Sequence, residues 1–165
     1  MDQRMRFEQT VLPHMDAALN LSRWLSRSTS EAEDIVQEAL LRAFRSFEGF
    51  RGGDAKPWLL AIVRNCHFTA MRQKKINAPL SDDHVAPGPD PEAASLSSDR
   101  ARKLAAAIET LPAEFRETLI LREMEDMSYR DIAAVTAVPI GTVMSRLARA
   151  RALLRERWLA KEPCP

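Results

Sequence analysis

Cys66-His67 joins, by residue type, a nucleophile to a general base. The pair is poorly arranged for that work. Adjacent residues on a helix point about 100° apart and do not face each other. No glycine loop suited to an oxyanion hole and no orienting carboxylate stands nearby. A packed cysteine beside a surface histidine is therefore expected. The only other cysteine is Cys164, so the chain has too few for a disulfide framework, and the two lack metal-ligand spacing. No metal, no cofactor and no chemistry of its own are expected for this chain.

Binding chemistry is better represented. The segment PWLLAIVRNCHFTAMRQKK starts apolar at Trp58 and ends basic at Arg72, Lys74 and Lys75, with Arg64 and Asn65 in its middle. Phe50, Gly52 and Gly53 precede it in EGFRGGDAK. Basic residues, interleaved aromatics and a Gly-rich loop suit single-stranded nucleic acid, whose bases stack on rings while Lys and Arg screen its phosphates. Core packing of Trp58 and Phe68, with a basic helix end complementing the helix dipole, fits the same residues.

Further along, MSYRDIAAVTAVPIGTVMSRLARARALLRERW reads as two helices around an Ala137-Val138 turn, with Pro139 opening the second. Val143, Leu147, Ala150 and Leu154 cluster within about 40° on its helical wheel and should face a core. The outward arc then holds Thr142, Met144, Ser145, Ala148, Arg149, Ala152 and Arg155. Small residues with spaced arginines suit a helix entering the DNA major groove, and the helix-turn-helix spacing favours that over a merely solvated face.

One more stripe stands out, on a helix at 31–47. Val36, Leu40, Ala43 and Phe47 form its buried side. Asp34, Glu38, Leu41 and Arg45 lie opposite, with Gln37 at the edge. A solvated face and an acidic docking surface for a basic groove both fit this stripe; Leu41 places a large apolar group among its charges, although one exposed leucine is ordinary.

The elements that position these residues are all helical, because apolar residues recur at three and four and alternating strand patterns are lacking. Helices are expected near 4–27, 31–47, 57–75, 99–109, 112–125, 129–135 and 140–160. Ser30 with Glu33 and Ser128 with Asp131 resemble capping boxes. Pro57, Pro112 and Pro139 suit first turns.

Charge divides the chain. The whole sequence of 165 residues carries a net +1. Residues 1–75 hold 12 basic and 9 acidic residues, and residues 99–165 hold 12 and 10. Between them, residues 76–98 have no Lys or Arg but carry Asp82, Asp83, Asp90 and Glu92. That stretch also holds Pro79, Pro87, Pro89 and Pro91 and few large apolar groups, so it reads as a flexible acidic tether. Two small basic modules whose charge is masked by an acidic linker are the expected organisation. No run approaches 18 apolar residues, and the N-terminal segment lacks the basic-then-apolar order of a secretory signal. A reduced, cytoplasmic protein without direct membrane insertion is expected.

Taken together, these segments resemble a sigma-70 family factor of the small extracytoplasmic-function type, which keeps only sigma regions 2 and 4. AEDIVQEALLRAFRSF resembles region 2.2 and PWLLAIVRNCHFTAMRQKK resembles regions 2.3–2.4. LPAEFRETLILREMEDMSYRDIAAVTAVPIGTVMSRLARARALL resembles region 4. Their order and their separation by a Pro-rich linker are specific, whereas region 4 alone also resembles other helix-turn-helix activators. The resemblance implies an all-α chain with a region 2-like domain at 1–76, a linker at 77–98 and a region 4-like domain at 99–165.

It also implies roles. Asp34, Gln37, Glu38 and Leu41 match the surface that docks on the clamp helices of the largest subunit of core RNA polymerase. Phe50 and the loop to Lys56 match the element that captures a flipped −10 base. Asn65 matches a position that contacts the same strand, and Arg64, Arg72, Lys74 and Lys75 would then lie along −10 DNA. Thr142, Met144, Ser145, Arg146, Ala148 and Arg149 fall on the helix that reads the −35 element. Leu111–Glu125 would lie under the polymerase flap and the linker near the RNA exit path. An anti-sigma protein and a stress or envelope response are further implications. The sequence departs from the family where Met144 replaces a usual Lys or Arg, where Ala148 replaces an aromatic or His, and where Ala137 replaces a turn glycine. Two rival readings remain at this stage, a stand-alone helix-turn-helix regulator and a Cys66-His67 hydrolase.

Overall fold

The computed structural model describes residues 2–26, 28–77 and 98–161. Most of the acidic Pro-rich stretch expected to be the tether, and Cys164, lie outside the described residues. Every regular element among the described residues is helical. They fall into two compact units.

The first unit contains α1 (Gln3–Val11), α2 (Met15–Ser26), α3 (Thr29–Ser46) and α4 (Ala55–Asn77). The single helix expected over 4–27 is two helices joined by a 3₁₀ turn, Leu12–His14. Pro13 is the reason: it has no N–H to give to the preceding turn, and its ring crowds the carbonyl four residues back. The start of α3 also differs from expectation. Ser28, not Ser30, is the cap, and its Oγ accepts from the backbone N–H of Glu31.

Helices α2, α3 and α4 pack against one another. Ala18, Ala32, Ala39 and Ala43 are fully buried, so the backbones can approach closely. Leu21, Leu59, Leu60 and Val63 fill the space between them. Burying each such leucine is worth about 1.5–3 kcal/mol. Ser22 is buried but satisfied, its Oγ donating to the Ala32 carbonyl at 3.1 Å. Of the stripe expected to be buried on α3, Val36, Ala43 and the following Phe47 are buried and Leu40 is half-buried.

The second unit contains α5 (Asp99–Glu109), α6 (Ala113–Glu123), the first part of α7 (Tyr129–Thr136) and α8 (Ile140–Lys161). Its core includes Ile108, Leu111, Ile120, Leu121, Val143, Leu147 and Ala150. Leu154, placed on the same inward stripe of α8, is half-buried. α8 packs on both α6 and α5, and Arg157 ties it to the end of α5 by donating from Nη1 to Thr110 Oγ1 at 2.7 Å.

A buried charge in this unit has no signal in the sequence. Arg116 is 5% exposed, and its Nη1 donates to the carbonyls of Glu109 at 3.0 Å and Leu111 at 3.1 Å. These are carbonyls at and just beyond the C-terminus of α5, where the helix leaves acceptors without intrahelical donors. Its neighbour Glu117 is also buried. On the sequence both residues read as ordinary surface charges. No single helix among the described residues is long and apolar enough to cross a membrane.

Candidate docking face and nucleic-acid interface

The outward side of α3 follows from its inward side. With Ala32, Ile35, Val36, Ala39 and Ala43 buried, the residues half a turn away must face out. Asp34, Gln37, Glu38 and Leu41 are all exposed, and Leu41 is 53% exposed. Glu38 Oε1 accepts from Arg42 Nε at 2.9 Å across one turn. The face is thus acidic at its N-terminal end and apolar at Leu41.

After α3 the chain passes through a 3₁₀ turn, Phe47–Gly49, that places aromatic rings together. Phe50 stacks on Phe47 with centroids 6.0 Å apart and lies 5.0 Å from Trp58. Phe7 meets Phe47 edge-on at 5.4 Å and Phe44 at 5.2 Å. Phe50 is half-buried by this cluster, so its ring forms the edge of an aromatic wall. The loop that follows needs glycine at two positions. Gly52 has φ +89° and Gly53 has φ +84°, in the left-handed region that side-chain-bearing residues avoid. Asp54 then accepts from the backbone N–H of Lys56 at 3.0 Å and starts α4.

α4 buries Leu59, Leu60, Val63, Cys66 and His67. Spacing of three and four residues puts Trp58, Asn65, Phe68, Arg72 and Lys75 along its other side. Trp58 and Phe68 are half-buried, whereas Asn65, Arg72 and Lys75 are exposed. Arg64 lies at the margin of this face, its guanidinium over the Phe68 ring at 4.6 Å from the centroid. Lys74 does not join them. It points to α3, where it forms an ion pair with Glu31. On the wheel it lies within about 20° of the buried Val63 and His67, and about 160° from Arg72, which accounts for the difference.

His67 corrects the expectation of a surface histidine, being 3% exposed. It falls four residues after Val63 and seven after Leu60, which is the register of the buried stripe. Cys66 is buried as expected. Burial pushes its thiol up from its ordinary pKa, which the nearby Arg42 guanidinium only partly opposes. A protonated, buried thiol is a poor nucleophile. No group of three or more His, Cys, Asp or Glu among the described residues is arranged to hold a metal ion.

In the second unit α7 and α8 form the helix-turn-helix. Arg122 organises the approach to it, donating from Nη1 to the Met127 carbonyl at 2.8 Å and lying over the Tyr129 ring at 4.8 Å. Ser128 caps α7, its Oγ accepting from the Asp131 N–H at 3.1 Å, as the spacing predicts. Ala137 ends α7 with φ +57° and ψ +42°. That left-handed conformation costs an L-residue roughly 1–2 kcal/mol, whereas glycine adopts it freely at some entropic cost. Ala137→Gly should therefore stabilise this unit by about 0.5–1 kcal/mol, seen as a rise of a few degrees in the melting temperature of the full chain.

On α8, Met144, Ser145, Ala148 and Arg149 are exposed on one side, and Met144 is 54% exposed. Thr142 is half-buried, and its carbonyl accepts from Ser145 Oγ at 3.0 Å. Arg146 departs from this set. Its side chain is 20% exposed and its Nη2 lies 3.6 Å from Glu114 Oε2 on α6. It stands three residues after Val143 and four before Ala150, both fully buried, which puts it at the margin of the inward face.

Comparison with known proteins matches two family models to the two units, Sigma-70 region 2 over residues 10–76 and Sigma-70, region 4 over residues 101–154. The chain is 36% identical over 160 residues to an ECF RNA polymerase sigma factor, SigE, of Mycolicibacterium smegmatis. That alignment covers 94% of this chain and 62% of the relative, so the chain spans less than two thirds of that protein. It is 35% identical over 150 residues to the ECF RNA polymerase sigma-E factor of Haemophilus influenzae, covering 83% of this chain and 78% of the relative. Among solved structures it resembles the sigma factor RpoE of Bartonella quintana, crystallised with the anti-sigma factor NepR. The TM-score is 0.74 at 29% identity, covering 95% of this chain and 99% of that one. Two helical units, an acidic-apolar face on α3 and a helix-turn-helix at α7–α8, with region 2 and region 4 in that order, place this chain in the sigma-70 family, among the ECF RNA polymerase sigma factors.

Proposed function

We propose that this chain binds core RNA polymerase, directs it to promoters with −10 and −35 elements, and helps to melt the −10 region. The observation that carries the reading is the separation of two exposed faces within the first unit. Asp34, Gln37, Glu38 and Leu41 lie on α3 and suit a basic groove on the polymerase clamp helices. Trp58, Asn65, Phe68, Arg72 and Lys75 run along α4 and suit single-stranded DNA. One unit therefore has room for polymerase and an unpaired strand at once. The Phe50–Trp58 wall and its glycine loop are the receiving end of that strand, and Arg64 contributes from the margin. Lys74 pairs with Glu31 on α3 and would reach a −10 phosphate only by giving up that exposed ion pair.

In the second unit Thr142, Met144, Ser145, Ala148 and Arg149 meet the −35 element. Met144 and Ala148 offer apolar contact, of the kind that favours thymine methyl groups, and Arg149 offers hydrogen bonds to a guanine edge or a phosphate. Arg146 orients α8 through Glu114. Arg149→Ala is expected to weaken −35 binding by the polymerase complex by about 1–3 kcal/mol and to relax preference at one base pair. Band-shift titration on promoters varied at that position reads both effects.

Control by an anti-sigma protein is part of the same proposal and is supported by the partner in the Bartonella quintana structure. The decisive experiment is transcription in vitro from a randomised promoter library, with core polymerase and this chain. Enrichment of a two-part promoter only when both are present is expected. Tight binding of duplex DNA by the chain alone, with no effect on transcription, would establish the stand-alone regulator instead.

A further inference from the structure

We propose that His14 is a positioning residue for the glycine loop that receives the −10 strand: its imidazolium holds Asp54, the residue at which the loop ends and α4 begins. The inference rests on the sigma-factor reading above and deepens it by naming what fixes the loop. Arg51, Gly52, Gly53 and Asp54 are all exposed. A Cβ added at Gly52 or Gly53 would meet nothing within 4 Å, so the middle of the loop stands clear of the helices. Its position is therefore set at its two ends. At the first, the Phe50 N–H donates to the Phe47 carbonyl at 3.0 Å and the two rings stack. At the second, Asp54 Oδ1 accepts from the Lys56 N–H at 3.0 Å, as a helix cap does.

The same Asp54 Oδ1 lies 4.0 Å from His14 Nε2. His14 closes the 3₁₀ turn that Pro13 sets between α1 and α2, and that turn packs against α4. The break in the first helix thus brings a half-buried histidine to the loop from a distant part of the chain. A separation of 4.0 Å is too long for a hydrogen bond, so the attraction is between charges and acts only when the imidazole is protonated. Histidine as a type changes charge within about pH 5–8. On the elements packed against the turn, the charged groups nearest along the chain are Asp16 on α2, Lys56 on α4 and Glu8 on α1, the last already paired with Arg4 at 3.0 Å. Arg51 stands in the loop itself. Among the described residues Asp54 is the carboxylate within ion-pair distance of His14. Asp54 stands one turn before Trp58, so fixing it fixes where the Trp58 ring stands against Phe50, 5.0 Å away. The receiving shape of the loop is held more firmly as pH falls.

The test uses the full chain assembled with core polymerase and a single strand from a promoter that the wild-type complex selects, titrated at about pH 6 and about pH 8. At the lower pH the wild-type complex should bind the strand about two- to fivefold more tightly than His14→Gln, the range for one exposed ion pair, and at the higher pH equally. Asp54→Asn keeps a capping side chain and should remove the same advantage, and adding His14→Gln to it should change nothing further. With an abasic site at the base that the loop receives, wild type and His14→Gln should bind equally at both pH values. A histidine that only supported the fold would weaken both strands alike and lower the melting temperature. Equal binding of the intact strand by wild type and His14→Gln at the lower pH overturns the role of His14 and leaves the sigma-factor reading in place. So does an equal loss on the abasic strand, or a His14 advantage that survives in Asp54→Asn. Failure of the wild-type complex to hold the strand at either pH overturns both.

Discussion

Reversing the charge of Asp34 and Glu38 together, as Asp34→Lys with Glu38→Lys, is expected to raise the Kd for core RNA polymerase about a thousandfold while leaving the fold unchanged. Both side chains are exposed on α3 and neither contributes to the core. Among the described residues the ion pair at risk is Glu38 with Arg42, an exposed pair one turn apart that contributes about 0.3–0.5 kcal/mol to the helix. At an interface the balance differs. Removing one partner of a buried charge pair costs about 2–5 kcal/mol, and reversal adds repulsion from the cation opposite. Two reversals losing even the lower figure each amount to about 4 kcal/mol, or roughly a thousandfold. Co-purification with tagged core polymerase, beside a melting curve of the free chain, separates lost docking from lost folding. Undiminished co-purification would remove α3 from the interface.

The second large effect concerns stability. Arg116→Met is expected to destabilise the second unit by about 2–4 kcal/mol, because two carbonyls beside a buried site lose their donor. Methionine keeps the apolar stem length, so the loss reports hydrogen bonding and charge more than cavity formation. Domains of this size have only about 0.05–0.15 kcal/mol of stability per residue, so the change takes a large share of the total. The melting temperature should fall by about 10 °C or more, as read by calorimetry on the full chain. Promoter binding through α8 should fail at the same temperature, since α8 packs on α6, the helix that carries Arg116. A fall of less than about 3 °C would show that water replaces the guanidinium at little cost.

The outward stripe on α3 was legible because exposed and buried faces of an amphipathic helix follow from one periodicity. Given Val36 and Ala43 inward, Asp34, Glu38 and Leu41 had to point outward. The same reasoning placed Met144, Ser145, Ala148 and Arg149 outward on α8. It left Arg146 out of that arc, and only the family resemblance put it at the −35 element; a long side chain beside the boundary is drawn in by a partner that the helix itself does not contain. Glu114 is that partner, on a different helix. Lys74 is a similar case, drawn to Glu31 far away in sequence.

Sequence by itself determined the helical class, the two-module order, the outward face of α3 and the capped turn at Ser128, since each depends on residues within a turn or two of one another. It also placed Ala137 at a strained turn position, which its φ of +57° matches. Tertiary structure alone decided the burial of Arg116, the aromatic wall of Phe7, Phe47, Phe50 and Trp58, and the pairings of Lys74 and Arg146. Those outcomes depend on which helix lies opposite, and local periodicity carries no information about a neighbour distant in the chain. An arginine buried over carbonyls and one exposed in solvent are the same letter in the sequence, and only the packed helices around Arg116 set them apart.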